Sequence, residues 1–323
     1  MTMDINALMP HLYTVGRVVR MDNHLTLDWS LAKIELCGSF DRCTLSITAS
    51  LGYGTVADLL AVPDHDFSRA VRITITSPSP AAYPMLELEA GRHHVAIYKA
   101  NQARSGGVNL YGLTFRGILT EPPLPSPLRI QIIGDSISCG AGAVDNGREE
   151  GHADSAEYSY GALLARSLPA DVTVTAVSGW GLACGGMNES ALIPAIYEKT
   201  NFFRDPSLAY DFTLDQPDLV ILALGTNDYR FASEGREEVL KKAAADFLAR
   251  LRRLYPSARI LWVYGQMLDQ YHELFRSLIA ETGDALISYL PLPRCVSGGF
   301  GHPDAEGHER YAALLAEHIP TLF

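Results

Sequence analysis

Two rhythms of apolar and polar positions divide this chain. Up to about residue 120, segments such as Val71-Arg72-Ile73-Thr74-Ile75-Thr76 and Met85-Leu86-Glu87-Leu88-Glu89 alternate apolar and polar side chains. That is the period of a strand buried on one face. Segments 94–99 and 108–115 continue it, separated by glycine, proline and serine clusters, and no helical period interrupts them. The pattern predicts a sandwich of short antiparallel strands. Beyond the proline-rich stretch 120–127, apolar runs of strand length recur at 128–133, 172–177, 219–224, 260–264 and 285–289. Amphipathic helical stretches lie between or after them at 158–168, 236–254, 270–280 and 303–317. Such alternation predicts a parallel sheet with helices on both faces. The expected division is an all-β domain over 1–120, a stiff proline linker over 121–127 and an α/β domain over 128–323.

Composition narrows the partners. With 323 residues, 47% hydrophobic and 20% charged, the chain has apolar material for two cores. A formal net charge of −11 argues against nucleic acid or an anionic membrane surface, both of which need a basic face. No apolar run is long enough to span a bilayer, and the N-terminus shows no signal peptide. The expectation is a cytoplasmic protein, with secretion left open should a leader precede this sequence. The five cysteines form no C-x-x-C pair and no zinc spacing, so no metal is expected. They read mostly as free thiols, with a Cys37–Cys43 bridge open if the protein is exported. Nothing in the sequence sets an oligomeric state.

The run 128–133 ends abruptly in Gly134-Asp135-Ser136. Open α/β sheets place their ligands at the carboxyl ends of strands, so Ser136 stands where a nucleophile would. A turn capping a helix explains the tripeptide alone equally well, and Asp135 reads as structural, capping that helix and holding the turn. A serine hydroxyl also needs a base for its proton and donors for the oxyanion. After the second strand-like run comes Ser178-Gly179-Trp180-Gly181, where the Gly179 N–H can face an oxyanion. After the third comes Gly225-Thr226-Asn227-Asp228-Tyr229, where the Asn227 amide can donate to it. After the fifth comes Gly299-Phe300-Gly301-His302-Pro303, which offers His302 as a general base. Each block by itself also reads as an ordinary turn.

Taken in order, the four blocks resemble the SGNH, or GDSL-type, hydrolase superfamily, with Ser136, Gly179, Asn227 and His302 at its named positions over about 128–320. The sandwich–linker–hydrolase order is similar to the two-domain carbohydrate esterases of family two. So are the phrases Gly91-Arg92-His93-His94-Val95, 157–166 and Ser178-Gly179-Trp180-Gly181. The resemblance implies a jelly-roll sandwich, carbohydrate-binding-like, followed by a flavodoxin-like sheet. It also implies removal of O-acetyl groups from xylan-type and other plant oligo- and polysaccharides, with no cofactor. Ser136 and His302 are the expected catalytic pair. The N–H groups of Ser136 and Gly179 and the Asn227 amide are the expected oxyanion hole. Trp180, Tyr229 and Phe300 flank three of the blocks and are expected either to form a wall against a sugar ring or to be core aromatics.

One departure matters. Most of the superfamily has an aspartate three residues before the histidine, and here that residue is Gly299. The other local histidine, His308, has Asp304 four residues before it, a pair that reads as a surface contact or helix stabiliser. The expectation is a Ser136–His302 dyad whose Nδ1–H is held by a carbonyl of the 296–300 loop, with Asp269 open as a distant acid. The same blocks serve short-chain lipases, thioesterases and sugar O-acetyltransferases. A catalytically weak carbohydrate-binding protein is a further reading, and four intact blocks speak against it.

Overall fold

In the computed structural model, which describes residues 1–144 and 154–323, the alternating segments become two antiparallel six-stranded sheets. One has the order Val19–Arg20, Leu25–Leu27, Gly106–Thr114, Cys43–Gly54, Ala81–Leu88, with Thr2–Asp4 also paired to Gly106–Thr114. The other has the order Gly117–Leu119, Lys33–Phe40, Gly91–Lys99, Ala57–Pro63, Val71–Ile75, with Tyr13–Val15 beside Lys33–Phe40. The period of two sends Leu45 and Ile47 of one sheet and Ile34, Leu36, Val95 and Ile97 of the other into one buried core. Each such side chain contributes about 2 kcal/mol by leaving water. The result is a jelly-roll sandwich.

One detail departs from expectation and one alternative left open is closed. A single helical turn, Ile5–Leu8, is capped by the Asp4 side chain on the Ala7 N–H at 2.9 Å. Four residues are too few to show a helical period. Cys37 and Cys43 lie on strands of opposite sheets and are free thiols, so the bridge left open above is absent. The Cys43 sulfur instead accepts the Arg116 N–H at 3.3 Å.

The sandwich belongs to a unit spanning Met1–Pro125, and a second unit spans Ser126–Phe323. The second is built on β1 (Leu128–Gly134), α1 (Tyr160–Ser167), β2 (Ala170–Ala176), β3 (Leu219–Ala223), α2 (Glu237–Leu254), β4 (Arg259–Tyr264), α3 (His272–Thr282), β5 (Ile287–Pro291) and α4 (Ala305–His318). Its five strands are parallel in the order β2-β1-β3-β4-β5, the flavodoxin-like order. Ile130, Ile132 and Ile133 of β1 and all of β3 are buried, as a sheet covered on both faces requires. Right-handed crossovers put α1 on one face and α2 and α3 on the other. Accordingly α4 packs with α1, and α2 packs with α3. The chain turns opposite ways out of β1 and β3, which opens a crevice at their carboxyl ends.

Between β2 and β3 the strand–helix rhythm lapses. The chain makes one helical turn, Ile193–Ile196, and a hairpin of Lys199–Asn201 with Asp205–Ala209. Every residue of Asp205–Ala209 is exposed, so no alternation marks it in the sequence.

Candidate active site

Ser136 follows β1 by two residues and is 6% exposed. No helix begins there, contrary to the expected cap. The chain makes a tight turn instead, closed by Cys139 N–H to the Asp135 carbonyl at 3.2 Å and Ala141 N–H to the Ser136 carbonyl at 3.1 Å. Gly142, at φ +69°, then passes close beneath the histidine loop. A Cβ on it would come within 2.3 Å of the Gly299 oxygen, and the Gly142 carbonyl accepts the Gly299 N–H at 3.0 Å. Any side chain there would push the two loops apart.

His302 reaches Ser136 across this junction, with Nε2 2.9 Å from Oγ. Its Nδ1 lies 3.1 Å from the Gly299 carbonyl oxygen. A carbonyl only accepts, so Nδ1 carries the proton and Nε2 offers its lone pair to the serine hydroxyl. The loop is shaped for this: Phe300 adopts left-handed backbone angles (φ 57°, ψ 27°), and Gly298 N–H donates to the His302 carbonyl at 2.7 Å. Asp304 then caps α4 on the Gly307 N–H at 2.8 Å.

Three loops meet around Asn227. Its Nδ2 donates to Asp135 Oδ2 at 3.2 Å, in the turn after β1, and to the Trp180 carbonyl at 3.0 Å, in the loop after β2. Gly179 in that loop has φ +80° and open space where a Cβ would stand. Asp228 fixes the same loop from below. Its carboxylate, fully buried, accepts the N–H groups of Leu182, Ala183 and Cys184 at 2.7–3.0 Å. Burial pushes the Asp135 carboxyl up to about 7, helped by the nearby charge of Asp228.

The aromatic residues flanking the blocks do not share one ring cluster. Among the described residues, Trp180 packs edge-on against Phe202 and Phe203 at 6.0 and 5.8 Å between ring centres. The sequence reading missed both phenylalanines because they sit in the turn of the unmarked hairpin. Tyr229 is 43% exposed with its hydroxyl on the Gly186 carbonyl at 3.3 Å, and Phe300 is 65% exposed. Asp269 lies exposed just ahead of α3, where its charge acts on His272 and Tyr264. Among the described residues no group of three or more His, Cys, Asp or Glu side chains could hold a metal ion.

His308 is a core residue, not the surface contact expected of the Asp304–His308 pair. It is wholly buried and its Nδ1 accepts the Tyr160 N–H at 3.1 Å, tying α4 to the first turn of α1. Burial pushes its imidazole down to about 4. The unfolded chain binds that proton below about pH 6.5 and the folded chain only below about pH 4. Stability owed to His308 is therefore full above that window and lost as pH falls through it. Asp135, raised to about 7, runs the opposite way over the same range. The His308 share is thus read as a difference from His308→Asn, whose Oδ1 can still accept the Tyr160 N–H. Urea unfolding is expected to show wild type losing about 2 kcal/mol more than His308→Asn between pH 7 and pH 5. Equal losses would contradict this placement of His308.

The model of the GDSL-like Lipase/Acylhydrolase family matches residues 132–319. The chain is 30% identical over 249 residues to the cellulase/esterase CelE of Acetivibrio thermocellus, covering 72% of this chain but only 30% of CelE. An acetylxylan esterase / glucomannan deacetylase of Cellvibrio japonicus is 27% identical over 335 residues, covering 99% of this chain and 90% of the relative. Among solved structures, a family two carbohydrate esterase from Clostridium thermocellum in complex with cellohexaose superposes with a TM-score of 0.86 at 25% identity. That match covers 96% of this chain and 99% of the other. The resemblance to family two carbohydrate esterases therefore holds over nearly the full chain. With its four blocks at the strand ends of a flavodoxin-like sheet, the chain belongs to the GDSL-like lipase/acylhydrolase family of carboxylic ester hydrolases.

Proposed function

We propose that the chain removes O-acetyl groups from xylan-type or related plant oligo- and polysaccharides through an acetyl-enzyme on Ser136. The observation that carries this is the 2.9 Å approach of His302 Nε2 to Ser136 Oγ, with Nδ1 on the Gly299 carbonyl. His302 takes the hydroxyl proton as Oγ attacks the acetyl carbonyl. The tetrahedral oxyanion receives hydrogen bonds from the Ser136 and Gly179 N–H groups and the Asn227 amide, each donor lowering the barrier by about 3–4 kcal/mol. His302 then gives its proton to the departing sugar oxygen, and the C–O bond breaks. A water molecule, deprotonated by the same nitrogen, attacks the acetyl-serine; the bond from the acetyl carbon to Oγ breaks, His302 returns the proton to Oγ, and acetate leaves. The Gly299 carbonyl orients the imidazole, the part that a carboxylate plays in a triad.

The named activities of the relatives support the acetyl and saccharide assignments: an esterase, an acetylxylan esterase / glucomannan deacetylase, and an esterase bound to cellohexaose. A net charge of −11 suits neutral sugars over anionic substrates. Trp180 with Phe202 and Phe203 offers a ring surface for a sugar. The test is acetate release over acetylated xylan and glucomannan fragments, beside p-nitrophenyl esters of rising chain length. Turnover is expected to be highest for acetyl and to fall steeply by octanoyl. Equal or faster octanoyl turnover, with no acetate from any acetylated saccharide, would favour a lipase or thioesterase instead.

A further inference from the structure

A buried carboxylate directly behind the nucleophile plays no part in the steps above. Asp135 is 1% exposed, and its two oxygens have different partners. Oδ1 accepts the Ile137 N–H at 3.1 Å and holds the turn. Oδ2 accepts one hydrogen of the Asn227 amide at 3.2 Å, while the Trp180 carbonyl accepts the other at 3.0 Å. Both Asn227 partners are acceptors, so the amide can present only its nitrogen to them. With two anchors the plane of the amide is set; with the Trp180 carbonyl alone it is free to swing. The Trp180 anchor is firm in its own right, because Asp228 clamps the three N–H groups from Leu182 to Cys184.

We propose that Asp135 is a positioning residue for the oxyanion hole, holding the Asn227 amide in the orientation from which it donates to the developing oxyanion. This rests on the oxyanion role given to Asn227 above. Ser136 follows Asp135 directly, so the oxyanion would form close to this amide and share one of its two hydrogens with an anchor. Donors aimed in advance are what make an oxyanion hole effective, since no reorganisation is then needed as charge develops. A loosened Asn227 binds the substrate as before and fails in the transition state.

Two substitutions separate this role from simple turn-holding. Asp135→Asn has one acceptor atom, so it satisfies either the Ile137 N–H or the Asn227 amide, and not both. Asp135→Ser keeps an acceptor for the Ile137 N–H but is too short to reach Asn227. Kinetics would be measured on p-nitrophenyl acetate, with active sites counted by fluorophosphonate labelling of Ser136 so that any unfolded fraction drops out of kcat. Both variants are expected to lose about 10- to 100-fold in kcat with KM nearly unchanged. Repeated in an Asn227→Ala background, the same substitutions are expected to cost less than about threefold, because the group they act through is gone. An equal loss in both backgrounds would overturn the proposal and leave Asp135 a turn residue. So would an undiminished kcat in Asp135→Ser beside a large loss in Asn227→Ala. If Asn227→Ala alone left kcat unchanged, the oxyanion role of Asn227 would itself fall, a result distinct from failure of Asp135.

Discussion

Ser136→Ala is expected to lower kcat for acetyl esters by about a millionfold, to the residual rate that binding and oxyanion donors sustain without a nucleophile. The reason is geometric. Ser136 Oγ is the atom that His302 Nε2 addresses at 2.9 Å, and it stands at the open end of β1, where the sheet leaves a crevice. In the proposed mechanism serine and histidine act as one device: a histidine with no hydroxyl to deprotonate contributes little. The double variant Ser136→Ala/His302→Ala is therefore expected to be no slower than either single variant, and steady-state assays at matched active protein check this. A double variant slower by the product of the two single losses would mean that the two residues work separately.

His302→Ala is expected to cost nearly as much as loss of the serine, and more than neutralising any single carboxylate of the second unit. In triad enzymes the acid that holds the histidine tautomer is worth up to about 10⁴-fold in rate. In the proposed dyad the Gly299 carbonyl, 3.1 Å from Nδ1, does that holding, in a loop set by the left-handed Phe300 and by the contact between Gly142 and Gly299. Changing Asp and Glu one at a time to Asn and Gln, with kcat/KM on p-nitrophenyl acetate as the readout, tests the account. One such change as costly as His302→Ala would replace the carbonyl-held dyad with a triad.

The parts of this fold that bury a continuous face were legible in the sequence. Leu45 and Ile47, like Ile73 and Ile75, alternate with wetter neighbours because those strands turn one face to solvent. Ile130, Ile132 and Ile133 and the run 219–224 are apolar because helices cover both sides of the parallel sheet. Three of the four blocks were legible because each interrupts such a run at its carboxyl end, and the histidine block follows the last run after a glycine-rich loop. Features that depend on a few specific contacts were not. The hairpin bearing Phe202 and Phe203 has an exposed strand without alternation, so its packing on Trp180 left no trace. The turn after Ser136 looked like a helix start because Gly-Asp-Ser serves both, and hydrogen bonds from Cys139 and Ala141 decide between them. His308 looked like a surface residue because spacing from Asp304 says nothing of α1, which arrives from a distant part of the chain.

The central claim is that an acetyl group passes through Ser136. Rapid acid quench during turnover of an acetylated xylo-oligosaccharide, followed by peptide mass spectrometry, tests it most directly. The account predicts the mass of one acetyl group on Ser136 in wild type and its absence in Ser136→Ala. Acetate released at the wild-type rate with the acetyl group on another residue, or on none at any quench time, would contradict it.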